Sequence, residues 1–383
     1  MVKFMYNTVY LLNSNHTLQL RKRRWKVDKG TIWYTNSSKI IDFTSIASIL
    51  RFISDIKKLN LPFNPKICFQ LGEVRFADKL TITVFECIMH SLINDCRYTV
   101  ALYGSVRTTI TTESINKSPL KYLWANRQYS IDEFLSSFAK DLKLDHYRTI
   151  ILENAAEDST LSKVMGDVRS VLSHRSIDIE YCDMLAEVLV ELIGNATEHN
   201  ATPCLIDVDI TQVYAKRDSP GQYVGVNTSI ASFTDVVFEE QLQAKLEGEE
   251  KYTERYETVR RAYANHSKLF DENYSPNDFF RIAAFQDRVS GRHDKSNTGG
   301  TGLTRLLKSL EELADSDICY LVSGRRALRF NKSLLDYDSD GWIGFNEERD
   351  FMNHPPNTNI FRDCPFFFPG TGYNLTFICR IGD

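Results

Sequence analysis

The sequence predicts an α/β fold built in two parts. Residues 66–104 read as strand, amphipathic helix and strand, residues 130–232 as helices followed by strands, and residues 318–381 close the chain with further strands. Apolar residues that alternate, rich in Val, Ile and Phe, give the strands. Apolar residues that return every three or four positions give the helices.

Taken in order, residues 1–60 mix Tyr, Val, Ile and Thr with basic residues and show no long helical period, so short strands and turns are expected there. "KICFQLGEVRF", "ADKLTITVFECIMHSLIND" and "YTVALYG" then form a βαβ-like order that faintly resembles the small STAS-type domain of sulphate transporters and anti-sigma antagonists. From "SIDEFLSSFAKDLKL" through "STLSKVMGDVRSVLSHRSI" to "EYCDMLAEVLVELIGNATEHN" the pattern is helical, and "CLIDVDITQVYA" and "QYVGVNTSIASF" are strands. Residues 238–290 are charged and helix-prone. A glycine-rich stretch, the helix "LTRLLKSLEELA" and strands "DICYLVSG", "RALRF" and "YNLTFICRI" complete the chain. The helix-then-sheet half begins between residues 125 and 155, which sets an N-terminal sensing or partner-binding part at 1–150 and a second part at 151–383.

Composition narrows the function classes. The chain holds 383 residues, enough for two cores. No run approaches the ~20 apolar residues of a membrane helix, and the N-terminal stretch lacks the order of a signal peptide, so no membrane role and a cytoplasmic location are expected. Eight cysteines are scattered without a CxxC pair, reading as buried thiols in a reducing compartment. A net charge of −4 argues against a protein that coats nucleic acid. The basic run "RKRRWK" at Arg21–Lys26 reads as a solvated strand or turn, with a phosphate-binding patch as the lesser option.

The helix over residues 181–199 is the most informative element. Leu185, Val188, Leu189, Leu192 and Ala196 form its core stripe, while Ala186, Val190, Ile193 and Gly194 make most of the remaining circumference apolar or small. One narrow polar line is left: Glu187, Glu191, Asn195 and Glu198. A partly solvated face is the plain explanation. Glu191 and Asn195, four apart, also stack on one face and can offer a carboxylate to a water and an amide oxygen to magnesium.

"ELIGNATEH" resembles the ExxxNA N-box of the GHKL superfamily, the Bergerat-fold ATPases that include type II topoisomerases, mismatch-repair ATPases, heat-shock chaperones and histidine-kinase catalytic domains. The resemblance implies a C-terminal Bergerat-fold α/β sandwich, a mixed sheet with helices on one face, covering about residues 155–383. It places magnesium on Asn195 and the water-activating role on Glu191; His199 reads as a helix-end cap. "SNTGGTGLTRL" then matches the family's second glycine box. Gly300, Thr301 and Gly302 would meet the polyphosphate through backbone amides at a helix start, with Gly299 permitting the turn. No GK[ST] follows, so it is not a Walker A loop. The family's adenine-binding DxGxG box is degenerate here. "VGVNTSIASF" puts Asn227 in the Asp position, with Asp235 as the alternative. "PGTGYNLTF" resembles the closing GT-then-strand segment and brings Thr371 to the cleft. Residues 238–298 would form the ATP lid, with Arg292 and Lys295 as phosphate-side cations.

"DYDSDGWIGFNE" satisfies the EF-hand loop pattern from Asp336 to Glu347. A strand before it and "NHPP" after it deny it the flanking helices, so an acidic turn is expected in place of a calcium site. The expected function is magnesium-dependent ATP binding with slow hydrolysis that switches the lid and a protein partner; the chain could also pair as a homodimer. Two alternatives stand beside it. A protein kinase of histidine-kinase or anti-sigma type has only His174 as a phosphoacceptor candidate, and a non-hydrolysing, nucleotide-gated binding module is favoured by the degenerate Asn227 box.

Overall fold

The computed structural model describes residues 6–18, 25–28, 30–59, 61, 64–107, 115–152, 159–199, 202–216, 219–247, 254–287, 289, 306–307 and 318–382. The chain is mixed α/β. Its N-terminal half contains α1 (Val9–Asn13), β1 (Trp25–Asp28), β2 (Thr31–Thr35), β3 (Ile40–Ile41), α2 (Phe43–Lys58), β4 (Lys66–Phe76), α3 (Lys79–Asn94), β5 (Thr99–Val106) and α4 (Ile131–Ala139). β4 is the hub: β2, β3 and β5 all run parallel to it, and β1 adds antiparallel to β2. α3 provides the crossover from β4 to β5, as parallel pairing requires.

The expectation of short strands and turns over residues 1–60 fails at α2. Asp42 caps this 16-residue helix by accepting a hydrogen bond from the Ser45 amide at 2.9 Å. Ser45, Ser48 and Ser54 are buried on it. Ser45 donates to the Ile40 carbonyl and Ser54 to that of His16, while the Ser48 hydroxyl accepts from Tyr34. Serines turned inward blur the period that marks an amphipathic helix.

The second half contains β6 (Lys140–Lys143), β7 (His146–Ile151), α5 (Thr160–Ser173), α6 (Ile179–Gly194), β8 (Cys204–Ile210), β9 (Tyr214–Lys216), β10 (Ser219–Ser232), α7 (Glu240–Glu247), α8 (Glu254–His266), α9 (Pro276–Ala283), β11 (Tyr320–Arg329) and β12 (Phe361–Ile381). The sheet runs β11-β12-β10-β8-β7-β6, with β9 beside β10.

Three expectations change here. Among the described residues every pairing in this sheet is antiparallel, so it is not mixed. The helix expected through "AKDLKL" stops at Ala139, and residues 140–143 become β6. Because β6 and β7 hydrogen-bond into this sheet, a cut at 150/151 would sever two of its strands.

The helices of this half, α5–α9, share one core on one face of the sheet, as expected, and the N-terminal half covers the other face. Side-chain alternation decides which core each residue joins. Ile206, Val208, Val226, Ile230, Leu375 and Phe377 share a core with α5 and α6. Leu205, Ala231, Phe233, Phe366 and Phe368 point the other way, into the core of the N-terminal half.

A buried ionic network holds that second face. Asp207 and Asp209 of β8 are at most 1 % exposed. Lys79, at the start of α3, reaches both, at 2.8 and 2.6 Å. Arg148 of β7 bridges Asp207 and Glu86 of α3, the latter at 2.6 Å, and its Nε donates to the Phe138 carbonyl. His146 lies with Nε2 3.0 Å from Asp207 and Nδ1 3.1 Å from Asp141. Both of its neighbours are carboxylates, so only the imidazolium can donate to each. Burial pulls the His146 pKa down, but the charge of Asp207 and the two hydrogen bonds outweigh it and leave the pKa raised. Burial likewise pushes the Asp207 carboxyl up, and Lys79, His146 and Arg148 reverse this and hold it well below the usual range. Asp141, raised by burial, is brought down to about 2 by His146 and Lys143.

Removing one member of a buried ionic cluster leaves its partners charged in low dielectric, so Arg148→Met is expected to cost about 3–5 kcal/mol in urea unfolding. The pH dependence has two signs. The raised His146 pKa contributes stability that is complete below its ordinary value of 6.5 and is lost as pH rises through the folded value. The depressed carboxylates contribute above their ordinary value of 3.8 and lose it as pH falls, for Asp141 towards about 2. In His146→Asn, unfolding measured between pH 6 and 9 should therefore show a shallower alkaline decline than the wild type; parallel curves would exclude an imidazolium at this position.

Candidate functional site

Asp178 caps α6 by accepting from the Glu180 amide at 2.8 Å. Cys182, Leu185, Val188, Leu189 and Leu192 bury its inner face. The polar line lies outward: Glu187 is exposed, as on a solvated face, and Glu191 and Asn195 are half-buried. At Asn195 the α-helix widens into a π-helical turn, Asn195–His199. Thr197, fully buried, donates its hydroxyl to the Ile193 carbonyl at 3.0 Å, a back-bond that competes with the regular helical ladder just after Gly194. Such widened turns recur at functional sites. The side chains of Glu198 and His199 lie outside the described residues.

The register brings further residues to the end of the sheet where α6 delivers the chain. Ile151 pairs with Cys204, Cys204 with Ser232, Ser232 with Thr371, and Thr371 with Ser323. α6 enters β8 at Cys204, so its C-terminal turn, the exit of β10 and Thr371 share one edge. Asp235 is exposed just beyond that exit, with the Thr234 hydroxyl 3.2 Å from its carboxylate. Gly370 (φ +83°) precedes Thr371. A Cβ there would stand 2.3 Å from the Ser232 carbonyl, so only glycine lets β12 approach β10 this closely.

Asn227 does not join this group. It has the parity of Ala231 and Ser229, and Ser229 lies 2.7 Å from Thr83 of α3. Asn227 therefore faces the N-terminal half, away from α6. It is fully buried, donates to Asp209 at 3.3 Å and accepts from Thr376 at 3.1 Å. An adenine amino group has no access to it, and the adenine-binding expectation for Asn227 is withdrawn.

The lid expectation is also corrected over its described part. Val259, Ala262, His266, Tyr274, Phe279 and Ile282 of residues 254–287 are buried in the core shared with α6 and with Trp342, Phe345 and Phe351. His266 bonds the Tyr274 hydroxyl and the Phe351 carbonyl. Arg281 pairs with Glu239 at 2.7 Å, tying α9 to the segment that leaves β10. This part of the lid is built-in structure. Gly299, Gly300, Thr301, Gly302, Arg292 and Lys295 lie outside the described residues. Leu306 and Leu307, which follow the glycines, are fully buried in the same core as α6. His174 caps the end of α5 and is exposed.

Sequence reading missed the network on the opposite face. Its signal was "DVD" in β8, two carboxylates at the period that points both to one side of a buried strand.

The acidic loop is committed to internal contacts. Asp336 is ion-paired with Arg349. Asp338 accepts from the Asp340 and Trp342 amides, and the Trp342 carbonyl, the seventh position of the pattern, accepts from the Asp338 amide at 2.9 Å. Arg255 donates to the Asp340 and Gly341 carbonyls and lies 4.0 Å over the Trp342 ring. Calcium titration by calorimetry is therefore expected to show no site tighter than about millimolar. Micromolar binding abolished in Asp336→Ala would overturn this.

Among the described residues no helix is long and apolar enough to cross a membrane. Comparison with protein-family models, curated proteins and solved structures finds no match to this chain.

Proposed function

We propose that the chain binds magnesium–ATP at the sheet edge beside the C-terminal turn of α6, in the manner of a Bergerat-fold ATPase, and hydrolyses it slowly to switch a protein partner. What supports this reading is the register that brings Cys204, Ser232 and Thr371 to one end of the sheet, the end at which β8 begins after α6 and its π-helical turn, with Asp235 exposed just beyond β10. With Asn227 turned away, Asp235 takes the adenine-recognition role: it is a carboxylate acceptor at a strand exit, open to an amino group.

The donor set suits magnesium held on a nucleotide. Asn195 offers an amide oxygen, and Glu191 stands one helical turn before it. Among the described residues no three His, Cys, Asp or Glu side chains gather into a metal cage. When bound, magnesium would neutralise charge on the phosphates. Glu191, half-buried on α6, would orient a water and accept its proton. By the same resemblance Gly299, Gly300, Thr301 and Gly302 would meet the phosphates; these residues lie outside the described ones.

Embedding α8 and α9 in the core favours a second reading, a module that binds ATP without hydrolysing it, because a segment packed in this way cannot swing as a free lid. Phosphate release decides between the two. A magnesium–ATP analogue should raise the melting temperature by mass action, and Asn195→Ala should remove the magnesium-dependent part. Glu191→Gln should keep near-normal affinity while turnover falls by about 10²- to 10⁴-fold. Absence of any thermal shift at millimolar nucleotide would sink the nucleotide reading; binding without phosphate release by the wild type would select the non-hydrolysing module.

A further inference from the structure

A second site lies between the two halves, where the N-terminal ends of α2 and α3 face β11 and β12 across a cleft of about 440 Å³. That volume suits a small organic ligand. One wall is acidic. Asp42 and Asp78 cap the two helices, accepting from the Ser45 amide at 2.9 Å and the Thr81 amide at 2.7 Å. Tyr320 of β11 donates its hydroxyl to the second Asp78 oxygen at 3.0 Å, fixing that carboxylate at the cleft. Burial pushes the Asp78 carboxyl up against the hydrogen bonds from Thr81 and Tyr320, and the charge of Asp42 adds to the push. This wall repels an anion and is stabilised by a cation.

The opposite wall carries two guanidiniums, Arg329 and Arg362, and one carboxylate, Asp363, which is ion-paired with Arg326 at 2.5 Å. Arg362 of β12 pairs in register with Ala327 of β11, two residues from Arg329. Ala327 and Cys364 belong to the core of the N-terminal half, and alternation puts Arg329 and Arg362 on that same face. Between the walls the surface is apolar and aromatic. Phe43 packs edge-on to Tyr320 at 6.1 Å and to Phe366 at 5.2 Å, with Ala327 and Pro365 beside it. Two carboxylates free of cationic partners among the described residues on one side, two guanidiniums on the other and an apolar, aromatic floor suit a small ligand whose ammonium and carboxylate lie side by side next to a hydrophobic body.

We infer that this cleft binds a free α-amino acid with an apolar or aromatic side chain, its ammonium at Asp42 and Asp78 and its carboxylate at Arg329 and Arg362. The two walls come from different halves of the chain, so the ligand bridges them. Neither the residues nor the assay involves the nucleotide site.

The test is calorimetry and thermal shift on the full chain, without nucleotide, using L-phenylalanine, L-tryptophan, L-leucine and L-methionine as probes. At least one should bind at millimolar concentration or better and raise the melting temperature. Asp42→Asn keeps the helix cap and removes the charge, and Arg362→Gln changes an exposed position; each should weaken binding at least tenfold with the unliganded melting temperature held. Should a variant misfold, the wild type still decides the matter, because phenethylamine lacks the carboxylate and 3-phenylpropanoate lacks the amine, and both should bind more weakly than L-phenylalanine. The assignment is overturned if none of the four amino acids binds, if either single-charge analogue matches L-phenylalanine, if both folded variants bind as the wild type does, or if inorganic phosphate displaces the amino acid.

Discussion

Asp207 is the constraint on which the architecture turns. It is a carboxylate in the middle of an antiparallel sheet, sealed from water, and its charge is stable only while Lys79, His146 and Arg148 stand around it. Those cations arrive on two elements, α3 and β7, so α3 must sit at one place and one angle on the sheet. Apolar contact alone would allow it to slide. The ionic contacts do not, and this fixes how the mixed sheet of the first half docks on the antiparallel sheet of the second.

Covering that face has consequences for the other one. With the N-terminal half on one side of β8, β10 and β12, the α5–α6 layer occupies the remaining side. Towards its C-terminal end α6 carries the half-buried Glu191, and Asn195 follows at the π-helical turn. The segment after β10 cannot fold back freely, because α8 and α9 are absorbed into the same core by His266, Phe279 and their aromatic neighbours. One sheet therefore supports two different kinds of surface: a dry ionic dock and a wet polar edge.

How much of this could be read in the sequence depends on where each residue's partners lie. β4 is legible to its ends, because its apolar residues and the turn residues that flank it are local. The polar line on α6 is legible for the same reason: a helix apolar nearly all round advertises the few positions that are not. α2 is hidden because its buried serines bond to backbone and side chains elsewhere. Asn227 shows the sharpest limit. Its spacing from the N-box fits an adenine contact, but side chains alternate along a strand, and a motif shifted by an odd number of residues lands on the wrong face. Only the pairing of Ser229 with Thr83 reveals which face that is. The sheet's missing strands, β6 and β7, follow a helix too closely for a period to switch visibly.

The position of β12 has a consequence for how the chain acquires its structure. β12 follows β10 and β11 in sequence yet lies between them, pairing with β10 from Gln222 to Ser232 and with β11 from Tyr320 to Leu328. Until residues beyond 361 are synthesised, β10 has an open edge and β11 has no sheet to join. Residues 371–381 of β12 then pair with β10, and residues 361–374 bring β11 into the sheet. Such non-local pairing is slow and leaves unpaired strand edges exposed while it proceeds. The arrival of β12 therefore extends the sheet beyond β10, sets Thr371 beside Ser232 and supplies Arg362 to the inter-half cleft in one step.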